Sequence, residues 1–393
     1  MRRRQCGAIL AAGCLAAWIA CATPHVPATD GEVLETLPQG YDPQLASVAG
    51  LRREALHDPL EPAPQLRLGR AYIDIARRDG DPRFLGYAQA VLARLTAAGP
   101  PYATPAASDA AVLQATVLQS QHQFDAALRL LDGILASRPL QAQALLTRAT
   151  VLQVRGRFVE AQRDCAALWR AADDVTAELC LAGVAAVTGR DRSAGALLHR
   201  ALDTMPADDA SSRLWACTLL AEMASRGGDV AGASHWYDSA LRAGPRDRYV
   251  LASYADFLLE HGRAGDVLRI TSDELRDDNL LLRRALAQQQ LGERSAQLRS
   301  MQTLRERYLA GAQRGDRTHL REQARFALEL QRDAAESLAL ARANWAVQKE
   351  PADLAVLLRS ARAAGDAATL AEAQRWLGDS GLAWPGLQRG QPR

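Results

Sequence analysis

Five consecutive residues, Ser234-His235-Trp236-Tyr237-Asp238, bring together the types a catalytic or binding site would use. Histidine is the commonest acid–base group, and a neighbouring hydroxyl and carboxylate are its usual company. Other constellations are absent. No HExxH and no paired-cysteine motif occurs, so a zinc enzyme lacks its ligands. No GxSxG elbow, GxGxxG turn or Walker loop occurs, so nucleotide phosphates have no cradle. Lys349 is the only lysine, which confines Schiff-base or P-loop chemistry to that position. The acidic doublets Asp173-Asp174, Asp208-Asp209 and Asp277-Asp278 read as caps and turns rather than metal or catalytic pairs.

The elements that must carry these residues are helices. The chain has 393 residues, 48% of them hydrophobic and only 5% aromatic, so alanine and leucine form the core. Those two residues, with Arg, Glu and Gln, favour helix, and no alternating β-branched run suggests a sheet. A net charge of +2 argues against a nucleic-acid partner, which calls for a dense basic stripe. Residues 1–22 read as a signal: "MRRR" is a basic start, and "CGAILAAGCLAAWIA" is too short for a comfortable membrane span. Ala20-Cys21-Ala22 fits ordinary cleavage. Cys21 also resembles the lipidated cysteine of a bacterial lipoprotein, with Cys14 a second candidate and an uncleaved anchor a third reading. Residues 23–42 are proline-rich and polar, a flexible tether. Cys165, Cys180 and Cys217 read as buried free thiols, with a Cys165–Cys180 bridge as the alternative.

The stretch that opens with Gly227 recurs. "GGDVAGASHWYDSALRAGP", "QHQFDAALRLLDGILASRP" and "TGRDRSAGALLHRALDTMP" each end in proline, with alanine twelve residues earlier. "RGRFVEAQRDCAALWRAAD" repeats the layout without the proline. The alanines Ala127, Ala161, Ala194 and Ala233 are 34, 33 and 39 residues apart. This chain resembles the tetratricopeptide repeat family, whose period is about 34 residues. Ala233, Tyr237, Ala240 and Pro245 match its second-helix pattern, as do Ala194, Leu198, Ala201 and Pro206. Leu68-Gly69 with Tyr72 matches a first helix, followed by the insertion "RRDGDPRF". Gly262 and Gly292 open later turns, and Ala339, Ala346 and Pro351 recover the pattern near the end. The resemblance spans about residues 62 to 380.

The residue types have physical reasons. Helices approach closely only where side chains are small. Proline stops the second helix, and glycine at positions 156, 189, 228 and 262 permits the turn between helices. One pair cannot bury its apolar face, so pairs stack into a superhelix with a concave side. Tyr237 then falls at a packing position, Trp236 is partly buried and His235 is solvated, so the opening stretch reads as core rather than site.

The expected fold is an all-α solenoid over residues 43–380, with 381–393 a disordered tail. The resemblance implies that first helices line a concave groove. Its candidate contacts are Gln119, Thr150, Gln153, Trp215, Glu222, Arg226, Tyr249 and Asp256, which mix amide, aromatic and charged groups suited to a peptide or protein segment. The basic clamp of chaperone-binding relatives is missing. The expected function is a non-enzymatic scaffold or adaptor in the bacterial envelope, exported to the periplasm, with no cofactor. Membrane contact would come only through an N-terminal lipid at Cys21. The alternatives are an assembly factor for an outer-membrane secretion or polysaccharide-export machine and, of another class, an enzyme with a site across repeats.

Overall fold

The computed structural model describes residues 29, 43–59, 61–96, 104–244, 246–272 and 277–383. The signal segment with Cys14 and Cys21, nearly all of the tether, Pro245 and residues 384–393 lie outside the described residues. Contacts divide the chain into Met1–Ala46 and Ser47–Arg393. Of the first unit only Thr29 and the opening of α1 (Pro43–His57) are described.

Within the second unit, helices follow one another as hairpins. α2 (Pro62–Asp79) and α3 (Arg83–Thr96) form the first pair. α4 (Pro105–Ser120) with α5 (Phe124–Ser137), and α6 (Ala142–Val154) with α7 (Phe158–Ala171), form the next two. α8 (Asp174–Val187) with α9 (Asp191–Thr204), and α10 (Ala210–Gly227) with α11 (Val230–Ala243), continue the series. Then come α12 (Arg248–Glu260) with α13 (Ala264–Ile270), and α14 (Asp278–Gln290) with α15 (Arg294–Gln313). α16 (Leu320–Arg325) runs on into a π-helical turn, Phe326–Gln331, and pairs with α17 (Ala334–Trp345). α18 (Pro351–Ala364) and α19 (Ala367–Ser380) close the array. No strand occurs among the described residues.

The local signals act as the sequence suggests. Asp173, Asp209 and Asp277 cap α8, α10 and α14, each accepting a backbone N–H three residues on. Small residues stand at the crossings: Ala127, Ala161, Ala194 and Ala233 are fully buried. At Gly69 the approach is closer still, since a Cβ there would lie 2.8 Å from Leu92. Tyr237 is buried and stacks on Tyr254, ring centroids 4.9 Å apart, while His235 is exposed.

First and second helices differ in how they are covered. α8 buries residues around most of its circumference, including Leu179, Cys180, Ala182 and Val184, whereas α9 buries only Ala194, Leu198 and Ala201. A helix apolar all round has neighbours on every side; a striped one keeps a solvated face. First helices are therefore inner and second helices outer. Cys165 on α7 and Cys180 on α8 form a disulfide across two pairs, which corrects the free-thiol reading of those two residues. Cys217 remains a buried thiol.

The array also folds back on itself. The Lys349 N–H, between α17 and α18, donates to the Val154 carbonyl at the end of α6 (2.7 Å), and Arg155 donates to the Val347 carbonyl (2.9 Å). Ala383 N–H donates to the Val187 carbonyl, and Arg248 to the Arg78 carbonyl. One apolar core runs from α4 to α8 and continues into α17, α18 and α19 through Trp345, Leu354, Leu357 and Ala373. Leu382, after α19, is buried against the same core.

Two paired substitutions test this packing. Tyr237→Ala should cost about 3–5 kcal/mol, as large-to-small aromatic core changes do, and His235→Ala within about 0.5 kcal/mol. Gly156 and Gly262 both have positive φ, +72° and +68°, so Ala costs roughly 1 kcal/mol at either. At Gly156 the new Cβ would also lie 2.7 Å from Trp376. Thermal denaturation should therefore rank Gly156→Ala well below Gly262→Ala. Equal melting temperatures would mean the fold-back contact carries no stability.

Candidate functional site

The inner helices place a charged wall along their open face. On α12, Tyr249, Asp256 and Glu260 are spaced at seven and four residues, so they share one stripe. Tyr249 is 57% exposed on this stripe. Its hydroxyl donates to Glu222 of α10 at 2.6 Å. Glu222 lies 4.0 Å from Arg226, which donates to the Ala186 carbonyl of α8. Asp256 accepts from Arg283 of α14 (2.7 Å) and Arg325 of α16 (2.8 Å). Arg325 also meets Glu329 at 3.1 Å, and Glu329 meets Arg359 of α18 at 3.2 Å. Arg321 reaches Glu322, Glu350 and Asp353 within 3.1–3.3 Å.

Charge is balanced unevenly along this wall. Burial resists ionisation of Asp256, but Arg283 and Arg325 outweigh it and hold the carboxyl far below the usual range. Glu322 is likewise buried, and Arg321 with Arg283 brings it down to about 2. Glu350 goes the other way. Burial, the Asp353 carboxylate and the more distant Glu222 push it up to about 7 against the pull of Arg321. Burial and Asp256 also raise Glu260. Tyr249 on α12, Glu222 on α10 and Glu350 at the start of α18 thus lie within electrostatic reach of one another.

The sequence-derived candidates fall on first helices, but in different settings. Glu222, Tyr249 and Asp256 come together on this wall. Trp215 is half-buried and packs against two apolar cores, so little of its ring is left to meet a ligand. Thr150 turns its hydroxyl to the Leu146 carbonyl, and the Gln153 amide lies over Gly183 of the next first helix. Gln119 is half-buried near the end of α4. Arg283, Arg321, Arg325 and Glu350 were not among the candidates. A signal existed for the last: Glu350 and Asp353 flank Pro351 in a reciprocal capping box that opens α18. Among the described residues no group of three His, Cys, Asp or Glu could hold a metal ion, and no helix is long and apolar enough to cross a membrane.

The Glu350 environment makes a signed prediction. A carboxyl whose folded-state value lies above its unfolded value of 4.5 destabilises the fold when ionised, fully above about pH 7 and not at all below about 4.5. Glu350→Gln should therefore melt higher than the unsubstituted chain at pH 8, with the gap closing as pH falls to about 4.5. Melting curves across that range check it, and a gap that is constant or reversed would contradict the assignment.

No protein-family model matches the sequence, and no curated protein matches it. Solved structures do. A tetratricopeptide repeat protein from Parabacteroides merdae ATCC 43184 is 14% identical, with a TM-score of 0.40 over 74% of this chain and 98% of that chain. Human IFIT1, as a dimer with PPP-AAAA, is 12% identical, with a TM-score of 0.48 over 86% and 96%. Yeast Tom70 is 11% identical, with a TM-score of 0.41 over 88% and 90%. These likenesses concern the fold alone. The repeated hairpins, their buried alanine crossings and their inner and outer helices make the chain an all-α solenoid of the tetratricopeptide type.

Proposed function

We propose that the chain is a non-enzymatic scaffold or adaptor that holds a peptide or protein segment against the wall formed by α10, α12 and the start of α18. One observation carries this reading: Tyr249 stands open on the face of an inner helix, its hydroxyl fixed by Glu222. An aromatic ring with a fixed polar tip makes a rigid contact of large area, the kind of residue that dominates protein interfaces. The surroundings of Tyr249 offer acceptors for backbone and side-chain donors of a bound segment.

We further propose that the protein works in the bacterial cell envelope. The basic, apolar and small-residue order of positions 1–22 supports export. So does the Cys165–Cys180 bridge, since disulfides persist mainly in oxidising compartments. Cys21 is the proposed lipid attachment point.

A photo-crosslinking residue at Tyr249 should trap an envelope protein in cells, while the same residue at the outward His235 should trap none. Capture from both positions alike, or from neither, would remove the groove reading. For the anchor, fatty-acid labelling should vanish in Cys21→Ser, because the thiol that carries the lipid is gone, and with it the acyl burial of about 0.8 kcal/mol per methylene that would hold the chain to the membrane. Labelling lost only in Cys14→Ser moves the site, and no labelling at all leaves plain secretion.

A further inference from the structure

The fold-back runs in a direction. Trp376, on α19, lies against Gly156 at the end of α6, and Ala383, just after α19, lies against Gly189 at the end of α8. The Ala383 N–H donates to the Val187 carbonyl at 2.9 Å. Between these two contacts the chain has moved from the end of one first helix to the end of the next. The end of α10 follows in that series. Arg226 marks it, donating to the Ala186 carbonyl of α8 at 3.2 Å, one residue from the carbonyl that holds Ala383. Gly228 makes the turn there at φ +81°, and among the described residues nothing beyond its chain neighbours lies within 4 Å of where its Cβ would stand.

From that point the wall is two side chains away. Arg226 lies 4.0 Å from Glu222, and Glu222 accepts from Tyr249 at 2.6 Å. The cations here are shared. Arg226 divides itself between Glu222 and the Ala186 carbonyl, and Arg321 serves Glu322, Glu350 and Asp353 at 3.1–3.3 Å. Arg283, 3.9 Å from Glu322, is bound to Asp256, and Lys349 turns its ammonium group to Trp345 and Trp376. Glu222 and Glu350 each have a guanidinium neighbour and neither has one to itself. A further guanidinium would find both carboxyls, and the exposed ring of Tyr249 offers a face to whatever accompanies it.

The residues that follow Ala383 read "WPGLQRGQPR". They carry Arg389 and Arg393, the apolar Trp384 and Leu387, and no aspartate or glutamate. Two prolines and two glycines among them do not suit a further helix. Six extended residues cover about 20 Å, enough to bring Arg389 from the end of α8 past Arg226 to Glu222. We propose that residues 384–393 continue across the ends of α8 and α10 and occupy the wall of their own chain, with Arg389 and Arg393 at Glu222 and Glu350 and Leu387 against Tyr249. The segment is then a built-in occupant that an incoming partner has to displace. That consequence rests on the reading of the wall as a binding surface; the placement of the segment does not.

A photo-crosslinking residue at Leu387 tests the placement, in the purified chain at low concentration with no partner present. Crosslinks mapped by mass spectrometry should fall within one copy, on α10, α12 or the start of α18. Arg389→Glu combined with Arg393→Glu should keep the helical circular dichroism signal and cut that yield about tenfold or more, since like charges set against each other are strongly disfavoured. Crosslinks that fall elsewhere or between copies, no crosslinks, or a yield indifferent to the charge reversal would each overturn the proposal. In cells, the same double substitution should raise the capture of an envelope protein from position 249, and unchanged capture would remove the displacement step. The two readings fail separately: an empty result from Leu387 leaves capture at Tyr249 standing, and an empty result at Tyr249 leaves the crosslinks from Leu387 standing.

Discussion

Two helices approach closely only where neither presents a large side chain, and everything else in this array follows from that. Buried alanines at 127, 161, 194 and 233, and Gly69 beneath Leu92, let each hairpin close. Closed hairpins stack with their first helices flanked by neighbours on both sides, which is why α8 is apolar around most of its circumference while α9 is not. What remains of the first helices is a single open face. Polar groups there are forced close together, and their charges have to be reconciled with one another.

That reconciliation is incomplete. Asp256 is satisfied by two guanidinium groups, but Glu350 has one arginine, shared with Asp353 and Glu322, and faces Glu222 as well. A buried ion pair does little for stability once desolvation is counted, and an under-compensated carboxyl subtracts from it. The wall beside Tyr249 is thus a place where the fold tolerates electrostatic cost, and shifted titration of this kind clusters at functional sites. Stability comes instead from the apolar crossings.

The fold was legible because its signals are local. Small residues at a fixed period, prolines, turn glycines and capping aspartates act within one hairpin, so a single sequence displays them. The placement of Tyr237 in the core and His235 in solvent follows from that register alone. The role of Trp215 was not legible, because its ring is shared between two cores that meet only when several pairs have stacked. Nor were Arg321 and Arg325: the π-helical turn at Phe326–Gln331 and Arg332 at φ +63° disturb the repeat register in that pair. The bridge between Cys165 and Cys180 joins two different pairs, a relation that sequence spacing could offer only as an alternative. The fold-back contacts join residues about 190 positions apart, beyond the reach of any local pattern.

The fold-back contact and the charged wall meet at one dipeptide. Lys349 donates its backbone N–H to Val154, and its ammonium group lies 4.2 Å from the Trp345 ring centroid and 5.8 Å from that of Trp376. Burial and Arg155 lower its pKa, so the aromatic faces and the Trp345 carbonyl compensate a partly desolvated cation. The next residue is Glu350, whose carboxyl faces Arg321 and Glu222. A group that neutralises or reorients Glu350 therefore acts on the residue bonded to the one that holds the later pairs against the earlier ones. Coupling between binding and conformation is reciprocal. If occupation of the wall favours one seating of Lys349 on α6, the seating of Lys349 must favour occupation of the wall to the same degree. The single lysine of the chain is thus both a fold-back contact and the neighbour of the under-compensated carboxyl.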